Sequence, residues 1–309
     1  MPVAGLIRRL STAAVAPIVA VSAAIAQPAA PGKPGADPRC STARLVGTWE
    51  RISLLRNGLS VQPPDAPLFV KFGSDGYWSM MEMPDRPRVD KALAEQSAKE
   101  LWSRFERVEG GYGTWTTTNG VVTRRHLVNI AAGGENTSQD RACVFEDEIL
   151  ALVGTGSNRS PQARFRRLQS QPLKSTALVG TWQRTALSVN GNKSTPPAPL
   201  IVILGEDGWF SQTQLPSGRK PAGKPLEQFT VEDYLATFTG VSAARGTYSV
   251  DGNVFARKHV ADVDPNLVGF ENVAQFTLAN DTLTLRGKAP GGAPYEAAFT
   301  RLKPADSTK

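Results

Sequence analysis

An internal repeat constrains this chain more than any other feature. The segment LVGTWE at residues 45–50 returns as LVGTWQ at residues 178–183, and four further pairs follow in the same order at offsets of 132 to 134 residues. These pairs are GSDGYWS (73–79) and GEDGWFS (205–211), GTW (113–115) and GTY (246–248), RRH (124–126) and RKH (257–259), and ARFRRL (163–168) and AAFTRL (297–302). A solenoid repeat is about 20–50 residues long, so this longer period indicates two copies of one whole domain.

The length and charge of the chain limit the classes of protein that it fits. A chain of 309 residues has room for two domains of ordinary size, and a charged fraction of 20% is too low for a disordered protein. The formal net charge is +7, but the basic residues are scattered singly and in pairs instead of forming a stripe with exposed aromatics. We therefore expect no nucleic-acid partner, while weak association with anionic lipid headgroups stays open.

Residues 1–26 have the pattern of a secretory signal peptide. Arg8 and Arg9 give a basic start, and an uncharged run rich in alanine and valine ends in Ala24, Ile25 and Ala26. A Sec-type signal is the prediction, with a twin-arginine signal and a tethered N-terminal helix as alternatives. Residues 27–40 are predicted to be a proline-rich spacer. No other segment is apolar for long enough to cross a membrane, and the expected location is secreted or periplasmic.

Each copy has the pattern of a strand meander with one helix. In the second copy, short apolar runs are separated by turn signals such as Asp207-Gly208, and helical spacing follows the predicted N-cap Thr230. In the first copy, a helix is predicted at residues 89–108 with Trp102 among its buried residues. Eight antiparallel strands in a meander close into a barrel without exposed edges.

The predicted fold class is therefore all-β, with two tandem eight-stranded antiparallel barrels and a helical insert between the third and fourth strands of each. The predicted boundaries are residues 41–168 for the first barrel, 169–175 for a linker, 176–303 for the second barrel and 304–309 for a tail. Each copy contains a complete set of strands, so we expect each to fold without the other.

The two cysteines of the chain, Cys40 and Cys143, both lie in the first copy. In an oxidising compartment an even pair indicates a disulfide. A metal role is not expected, because the sequence places no histidine beside either cysteine and one histidine per copy cannot supply a three-histidine zinc site. No phosphate loop, dinucleotide fingerprint or nucleophile elbow is present. We predict no cofactor and no metal.

The ordered motifs carry a resemblance to a known family. LVGTW at the start of each copy is similar to the Gly-x-Trp signature of lipocalins. The full order of motifs in the second copy resembles the lipocalin-like domain family of bacteria and fungi, including a Pro265-Asn266 pair that the first copy replaces with AAGG at residues 131–134. The resemblance implies barrels that enclose small apolar molecules. It also implies that Trp49 and Trp182 close the narrow ends of the barrels, a structural role.

The two histidines of the chain occupy equivalent places, His126 and His259. Strand alternation puts Arg124 on the face of His126, and Arg257 on the face of His259. An arginine beside a histidine on an apolar face can bind a carboxylate or polarise a carbonyl. The alternative is that this face points to solvent.

The ligand-binding hypothesis is developed furthest for the second copy. Phe255 shares the face of Arg257 and His259, which favours an interior position for all three. A buried arginine needs a partner, and for Arg257 an acidic group such as Glu271, water or the ligand itself is expected to supply it. The candidate ligand-binding residues are Arg257, His259, Phe255, Glu271, Arg124 and His126, and no catalytic residue is assigned.

Three functions remain open at this point. The first is a secreted or periplasmic protein that binds a small lipophilic molecule, with or without an anionic end, in one or both barrels. The second is an isomerase or cyclase that uses the Arg-x-His pair inside a barrel. The third is a filled barrel with a structural or interaction role in the cell envelope. An open cavity in a barrel separates the first two functions from the third.

Overall fold

The computed structural model describes residues 37–56, 59–61, 66–130, 135–155, 162–194, 198–216, 219 and 223–305. The predicted signal peptide, residues 27–36 of the predicted spacer, the AAGG segment and residues 306–309 of the predicted tail lie outside the described residues.

Almost all regular structure in the described chain is antiparallel sheet. The strands of the first copy are β1 Gly47–Arg56, β2 Leu59–Val61, β3 Leu68–Phe72, β4 Tyr77–Glu82, β5 Glu109–Thr118, β6 Val121–Asn129, β7 Ser138–Glu146, β8 Ile149–Gly154 and β9 Gln162–Arg167. Those of the second copy are β10 Gly180–Val189, β11 Asn192–Ser194, β12 Leu200–Leu204, β13 Trp209–Gln214, β14 Ser242–Asp251, β15 Val254–Asp262, β16 Glu271–Ala279, β17 Thr282–Lys288 and β18 Pro294–Arg301. The α-helices are α1 Thr42–Leu45, α2 Ala98–Phe105 and α3 Val231–Phe238, and 3-10 turns lie at Leu93–Glu95, Leu226–Gln228 and Pro265–Leu267.

Each copy is a closed barrel of eight strands, as the sequence predicts. Sequential strands pair in a meander, and the barrels close where β1 pairs with β9 and β10 pairs with β18. The short strands β2 and β11 pair only with the ends of β1 and β10, and the sequence interpretation missed both. The helical segments come after β4 and β13 in chain order.

The predicted first-copy helix at residues 89–108 is too long. The helix α2 begins only after Ser97, whose hydroxyl accepts from the backbone N–H of Glu100 while the Glu100 carboxylate accepts from the Ser97 backbone N–H. Arg107 then takes a positive φ of 60° and ends the helical segment. Trp102 was expected to be buried, but it is 37% exposed because it lies on the outer face of this short helix. In the second copy, Thr230 caps α3 as predicted.

A tryptophan of the first strand fills the closed end of each barrel. Trp49 and Trp182 are buried, and each indole N–H donates over 2.8 Å to a carbonyl four residues earlier, that of Leu45 or Leu178. A guanidinium of the last strand covers each ring, at 4.3 Å from the Trp49 centroid and 4.1 Å from the Trp182 centroid. These local bonds satisfy the only polar atom of each indole, which is what a packed plug requires.

The predicted disulfide between Cys40 and Cys143 is present. Cys40 lies just before α1 and Cys143 lies in β7, 103 residues later. Both are buried against the core of the first barrel. The bond therefore attaches the chain that enters the first barrel to one of its late strands.

The two barrels pack against each other through equivalent surfaces. Ser79 of β4 and Ser211 of β13 hydrogen-bond to each other over 2.6 Å, and the rings of Phe105 and Phe238, from α2 and α3, stack at 3.9 Å. One apolar cluster contains buried residues of both copies. Equivalent residues that meet in this way define an isologous interface within one chain.

The interface explains why two strands are apolar on both faces. Every residue of β3 and of β12 is buried, because one face packs in its own barrel and the other packs on the neighbouring copy. Lys71 is the exception in β3, and its ammonium group bonds the Asp207 carboxylate of the second copy at 2.9 Å. Thr48 donates to the same carboxylate at 2.6 Å. The place of Lys71 is taken by Ile203 in the second copy, so the interface is symmetric in shape but not in charge.

Candidate functional site

The second barrel contains an open cavity at the end opposite its tryptophan plug. Its volume is about 230 Å³. Its wall is mainly apolar, with Leu187, Val189, Leu200, Leu267, Phe270, Leu285, Ala289, Pro290, Ala297 and Phe299, and its polar residues are Arg184, Gln212, Arg257, His259, Asn272 and Tyr295. The core cluster around Trp182 fills the rest of the barrel. The interior of the second barrel therefore contains both a packed core and an open cavity.

Arg257 of β15 faces this cavity, as strand alternation from the sequence suggested. Its Nη1 donates to Gln212 Oε1 over 2.6 Å, and its buried Nε has no partner among the described residues. Burial lowers the pKa of this guanidinium, and Tyr295 and Asp262 partly oppose that shift. The partner of Arg257 is therefore a neutral amide.

Arg184 of β10 is a second guanidinium at the cavity, and sequence analysis missed it. Its Nη2 donates to Gln214 Oε1 over 2.6 Å, and its buried Nε is also unpartnered in the described chain. Burial, and then the nearby charge of Arg257, lowers its pKa. No carboxylate of the described residues lies within salt-bridge distance of Arg184 or Arg257. Two partly buried cations thus share one cavity with neutral partners.

His259 lines the cavity beside Arg257, and its ring is held on three sides. Nδ1 lies 2.7 Å from Asp262 Oδ2, and both side chains are buried. Phe210 packs on the ring at 5.5 Å between centroids, and Phe270 meets it edge-on at 5.9 Å. Nε2 is buried and has no partner among the described residues. The ring therefore has one nitrogen fixed by Asp262 and one enclosed nitrogen without a hydrogen bond.

A β-bulge brings Asp262 to His259. Simple alternation would put residues three positions apart on opposite faces of β15. The register shifts here, because Gly246 pairs with His259 and Arg245 pairs with Ala261, which leaves Val260 as the extra residue. Burial raises the pKa of the Asp262 carboxyl, while the bonds from His259 and from the backbone N–H of Asp264 oppose that shift.

Two of the residues predicted for this site lie elsewhere. Glu271 is on the outer face of β16, where it forms an exposed ion pair with Lys258 at 2.9 Å. Its neighbour Asn272 is the one that faces Arg257 across the strands. The pairing of Glu271 with Arg257 is thus wrong by one residue. Because neighbouring residues of a strand point to opposite faces, Glu271 lies on the outside of the barrel and Asn272 on the inside. Phe255 does point inward, but it is part of the packed core instead of the cavity wall.

The remaining polar groups of the cavity form a neutral network. Asn272 Oδ1 accepts from the Tyr295 hydroxyl over 2.8 Å, and Asn272 Nδ2 donates to the Lys288 carbonyl over 2.9 Å. Burial raises the pKa of Tyr295, so the phenol stays protonated at neutral pH. With Asp262 the nearby acid, the polar side of the cavity keeps an excess of positive charge.

Three solved structures are similar to parts of this chain. No protein-family model matches it, and no curated protein does. Among solved structures, it is similar to a lipocalin-like protein from Bacteroides uniformis, with 15% identity over 40% of this chain and 98% of that chain and a TM-score of 0.27. It is also similar to a redesigned β-barrel, with 12% identity over 41% of this chain and 92% of that chain and a TM-score of 0.26. A third, uncharacterized protein from Bacteroides eggerthii has 12% identity over 40% of this chain and 98% of that chain, with a TM-score of 0.24.

By its own strand topology, each copy is an eight-stranded up-and-down barrel, the architecture that lipocalins have. The first barrel differs from the second in its interior charges. Arg51, equivalent to Arg184, forms a buried salt bridge with Glu82 at 3.0 Å. Arg124, equivalent to Arg257, donates to Gln139, and burial followed by the charge of Arg141 lowers its pKa to about 10. One of the two equivalent arginines in the first barrel is therefore already neutralised.

His126 of the first barrel has no counterpart to the His259–Asp262 pair. Both its ring nitrogens are buried and without a hydrogen-bond partner among the described residues, and Asn129 stands where the second barrel has Asp262. Its ring meets Trp78 edge-on at 4.8 Å. Burial and then Arg124 lower the pKa of His126. This histidine is a packed, neutral core residue.

The first copy also holds the segment that carries Asp262. Arg86 donates to the carbonyls of Asp262, at 3.0 Å, and Val263. Arg104 forms a 3.3 Å ion pair with Asp264. These contacts fix the backbone around Asp262 from outside the second barrel, which contributes to a defined position for His259.

Two structural features are absent from the described residues. No cluster of three or more His, Cys, Asp or Glu side chains that could hold a metal ion occurs among them. None of the described helices has the length and apolar character needed to cross a membrane.

Proposed function

We propose that the second barrel binds a small amphipathic carboxylate, with its charged end at Arg184 and Arg257 and its apolar body against the wall of the cavity. The observation that carries the proposal is the presence of two partly buried guanidiniums whose partners are glutamine amides. Removing a cation from water without an anionic partner is costly. A carboxylate supplies both the charge and the planar acceptor geometry that guanidinium favours.

The size of the cavity supports a short ligand. Pockets for drug-sized molecules are about 300–1,000 Å³, and this cavity is about 230 Å³. The ligand class is therefore a short-chain or single-ring acid instead of a long fatty acid. An open apolar cavity also argues against a fully filled barrel for the second copy.

The place of action that we propose is outside the cytoplasm, secreted or periplasmic. The signal-like pattern of residues 1–26 and the Cys40–Cys143 disulfide support it, because stable disulfides are typical of oxidising compartments. A soluble acid carrier or sensor fits that location.

The proposal is tested by calorimetric titration of the purified chain with matched acid and alcohol probes. We expect 3-phenylpropanoate to bind more tightly than 3-phenylpropanol. Arg257→Ala should lower the affinity for the acid by about 10- to 100-fold, the range of a charge-assisted hydrogen bond. The affinity for the alcohol should stay nearly unchanged. The matched control is Arg124→Ala in the first barrel, which should leave the affinity for the acid at wild-type level.

Two results would contradict the proposal. Equal losses for acid and alcohol in Arg257→Ala would mean that Arg257 contributes only shape. An equal loss in Arg124→Ala would place the binding site in the first barrel.

A further inference from the structure

The carboxylate site leaves one feature of the cavity without a role. Arg184 and Arg257 are sufficient to hold an anion, but His259 also lines this cavity, and its Nε2 has no hydrogen-bond partner among the described residues. Nε2 itself is enclosed by protein atoms, and Nδ1 is fixed by Asp262 at 2.7 Å. When the carboxylate accepts from Nδ1–H, the lone pair of the imidazole is on Nε2. A buried histidine oriented by a carboxylate is the arrangement of a general base.

We propose that His259 is a general base that moves a proton within a bound 2-oxo acid, with Asp262 as its positioning residue. The inference rests on the proposed function, because the carboxylate of the substrate is held by Arg184 and Arg257. On a strand that rises about 3.3 Å per residue, the Cα atoms of Arg257 and His259 are about 7 Å apart, and both side chains line the cavity. A 2-oxo acid held at Arg257 by its carboxylate can therefore extend toward His259 with C3, the carbon that carries its acidic hydrogens.

The proton transfer balances without any co-reactant. Nε2 of the neutral imidazole takes a proton from C3, and the electron pair of the C–H bond becomes the C2=C3 double bond. The π electrons of the C2 carbonyl move to its oxygen, and a guanidinium beside it stabilises the enolate charge. Return of the proton to that oxygen gives the enol, and its return to C3 regenerates the keto acid. The activity is keto–enol tautomerisation of small 2-oxo acids with an apolar substituent.

The first barrel supplies a natural comparison within the same chain. His126 is equivalent to His259, but Asn129 replaces the aspartate and both nitrogens of His126 lack hydrogen bonds in the described chain. A neutral amide cannot stabilise the imidazolium that forms when a base accepts a proton. Among the described residues, the second barrel combines the His259–Asp262 pair with two guanidiniums that lack a carboxylate partner.

The test is deuterium exchange at C3 of phenylpyruvate in D2O, followed by proton NMR with the whole purified chain. The aliphatic 2-oxohexanoate is a second probe. We expect exchange above the buffer rate, and a fall of about 100-fold or more toward that rate in His259→Gln, the lower end of what a general base contributes. His126→Gln should exchange at the wild-type rate.

Binding measurements separate this inference from the proposed function. In His259→Gln and Asp262→Asn, affinity for 3-phenylpropanoate should stay within a few-fold of wild type while exchange falls. A loss of exchange with retained binding is not what a merely structural defect produces. If the wild-type chain binds 3-phenylpropanoate but exchanges neither 2-oxo acid above buffer, the inference is overturned and the binding function stands. Exchange that persists in His259→Gln overturns it as well.

Discussion

Glu82 and Gln214 occupy equivalent positions at the ends of β4 and β13. Each contacts an arginine on the first strand of its own barrel, which is Arg51 in β1 or Arg184 in β10. Glu82 binds Arg51 at 3.0 Å as a salt bridge, whereas Gln214 accepts from Arg184 at 2.6 Å as a neutral amide. The exchange of one carboxylate oxygen for one amide NH2 group thus decides whether the positive charge of the arginine has an anionic partner inside its own barrel. The second barrel is the one that leaves it available to an anion.

The first prediction exchanges these two residues. Gln214→Glu should give Arg184 an internal carboxylate partner and weaken binding of 3-phenylpropanoate by about 10- to 100-fold, as measured by calorimetric titration. Glu82→Gln is the matched control, because it changes the same position in the first barrel and should leave that affinity unchanged. Unchanged affinity in Gln214→Glu would show that Arg184 takes no part in binding.

The second prediction concerns the disulfide. Replacing Cys40 and Cys143 by serine should lower the free energy of unfolding by about 2–5 kcal/mol, since the bond closes a loop of 103 residues in the unfolded chain. Urea unfolding of the variant and the wild type, both under oxidising conditions, measures the difference. The same denaturation midpoint for both proteins would rule out a stabilising role.

The third prediction concerns the buried ion pair of the interface. Asp207→Ala leaves the Lys71 ammonium buried without its carboxylate and should cost about 3–5 kcal/mol. Adding Lys71→Ile, which copies Ile203 of the second barrel, should restore part of that loss because no unpaired charge remains. Thermal or urea unfolding of the two variants gives the comparison. A double variant less stable than Asp207→Ala would argue that Lys71 stabilises the interface by other contacts.

The fourth prediction concerns the independence of the two copies. The sequence suggests that residues 176–309 fold alone, but the second copy shares an apolar cluster with the first, including the stacked pair Phe105 and Phe238. We expect residues 176–309 alone to unfold cooperatively and to self-associate through that exposed face. Urea unfolding and sedimentation velocity check the two parts. A stable monomer would contradict the association, and the loss of a cooperative transition would contradict independent folding.

The fifth prediction concerns His126 and acid. Burial lowers its pKa below the 6.5 of the unfolded chain, so the unfolded state binds the proton more readily. The stability associated with the neutral ring is therefore present above pH 6.5 and is lost as the pH falls through 6.5 toward the folded-state pKa. His126→Gln should make the decline of the unfolding midpoint between pH 7 and pH 5 shallower. A parallel decline in both proteins would contradict a buried neutral His126.

Within the candidate site, the sequence was informative where residues lie on one strand. Arg257 and His259 are two positions apart, so alternation was enough to put them on one face. The same rule misassigned Glu271, because a pattern on one strand does not state which residue of the next strand lies opposite. Asn272, one position further on, is the residue in register with Arg257.

The sequence by itself determined the architecture of this protein. Motifs repeated at a constant offset, turn signals between short apolar runs, and two cysteines in one copy were sufficient for two closed barrels and one disulfide, since these depend on local chemistry and on one period. Tertiary structure alone decided the rest. Arg184 reaches the cavity from a strand more than seventy residues before Arg257, Asp262 turns inward only through a bulge, and the copies meet at Lys71 and Asp207. Such relations depend on register and closure, which bring distant residues together without leaving a local pattern in the chain.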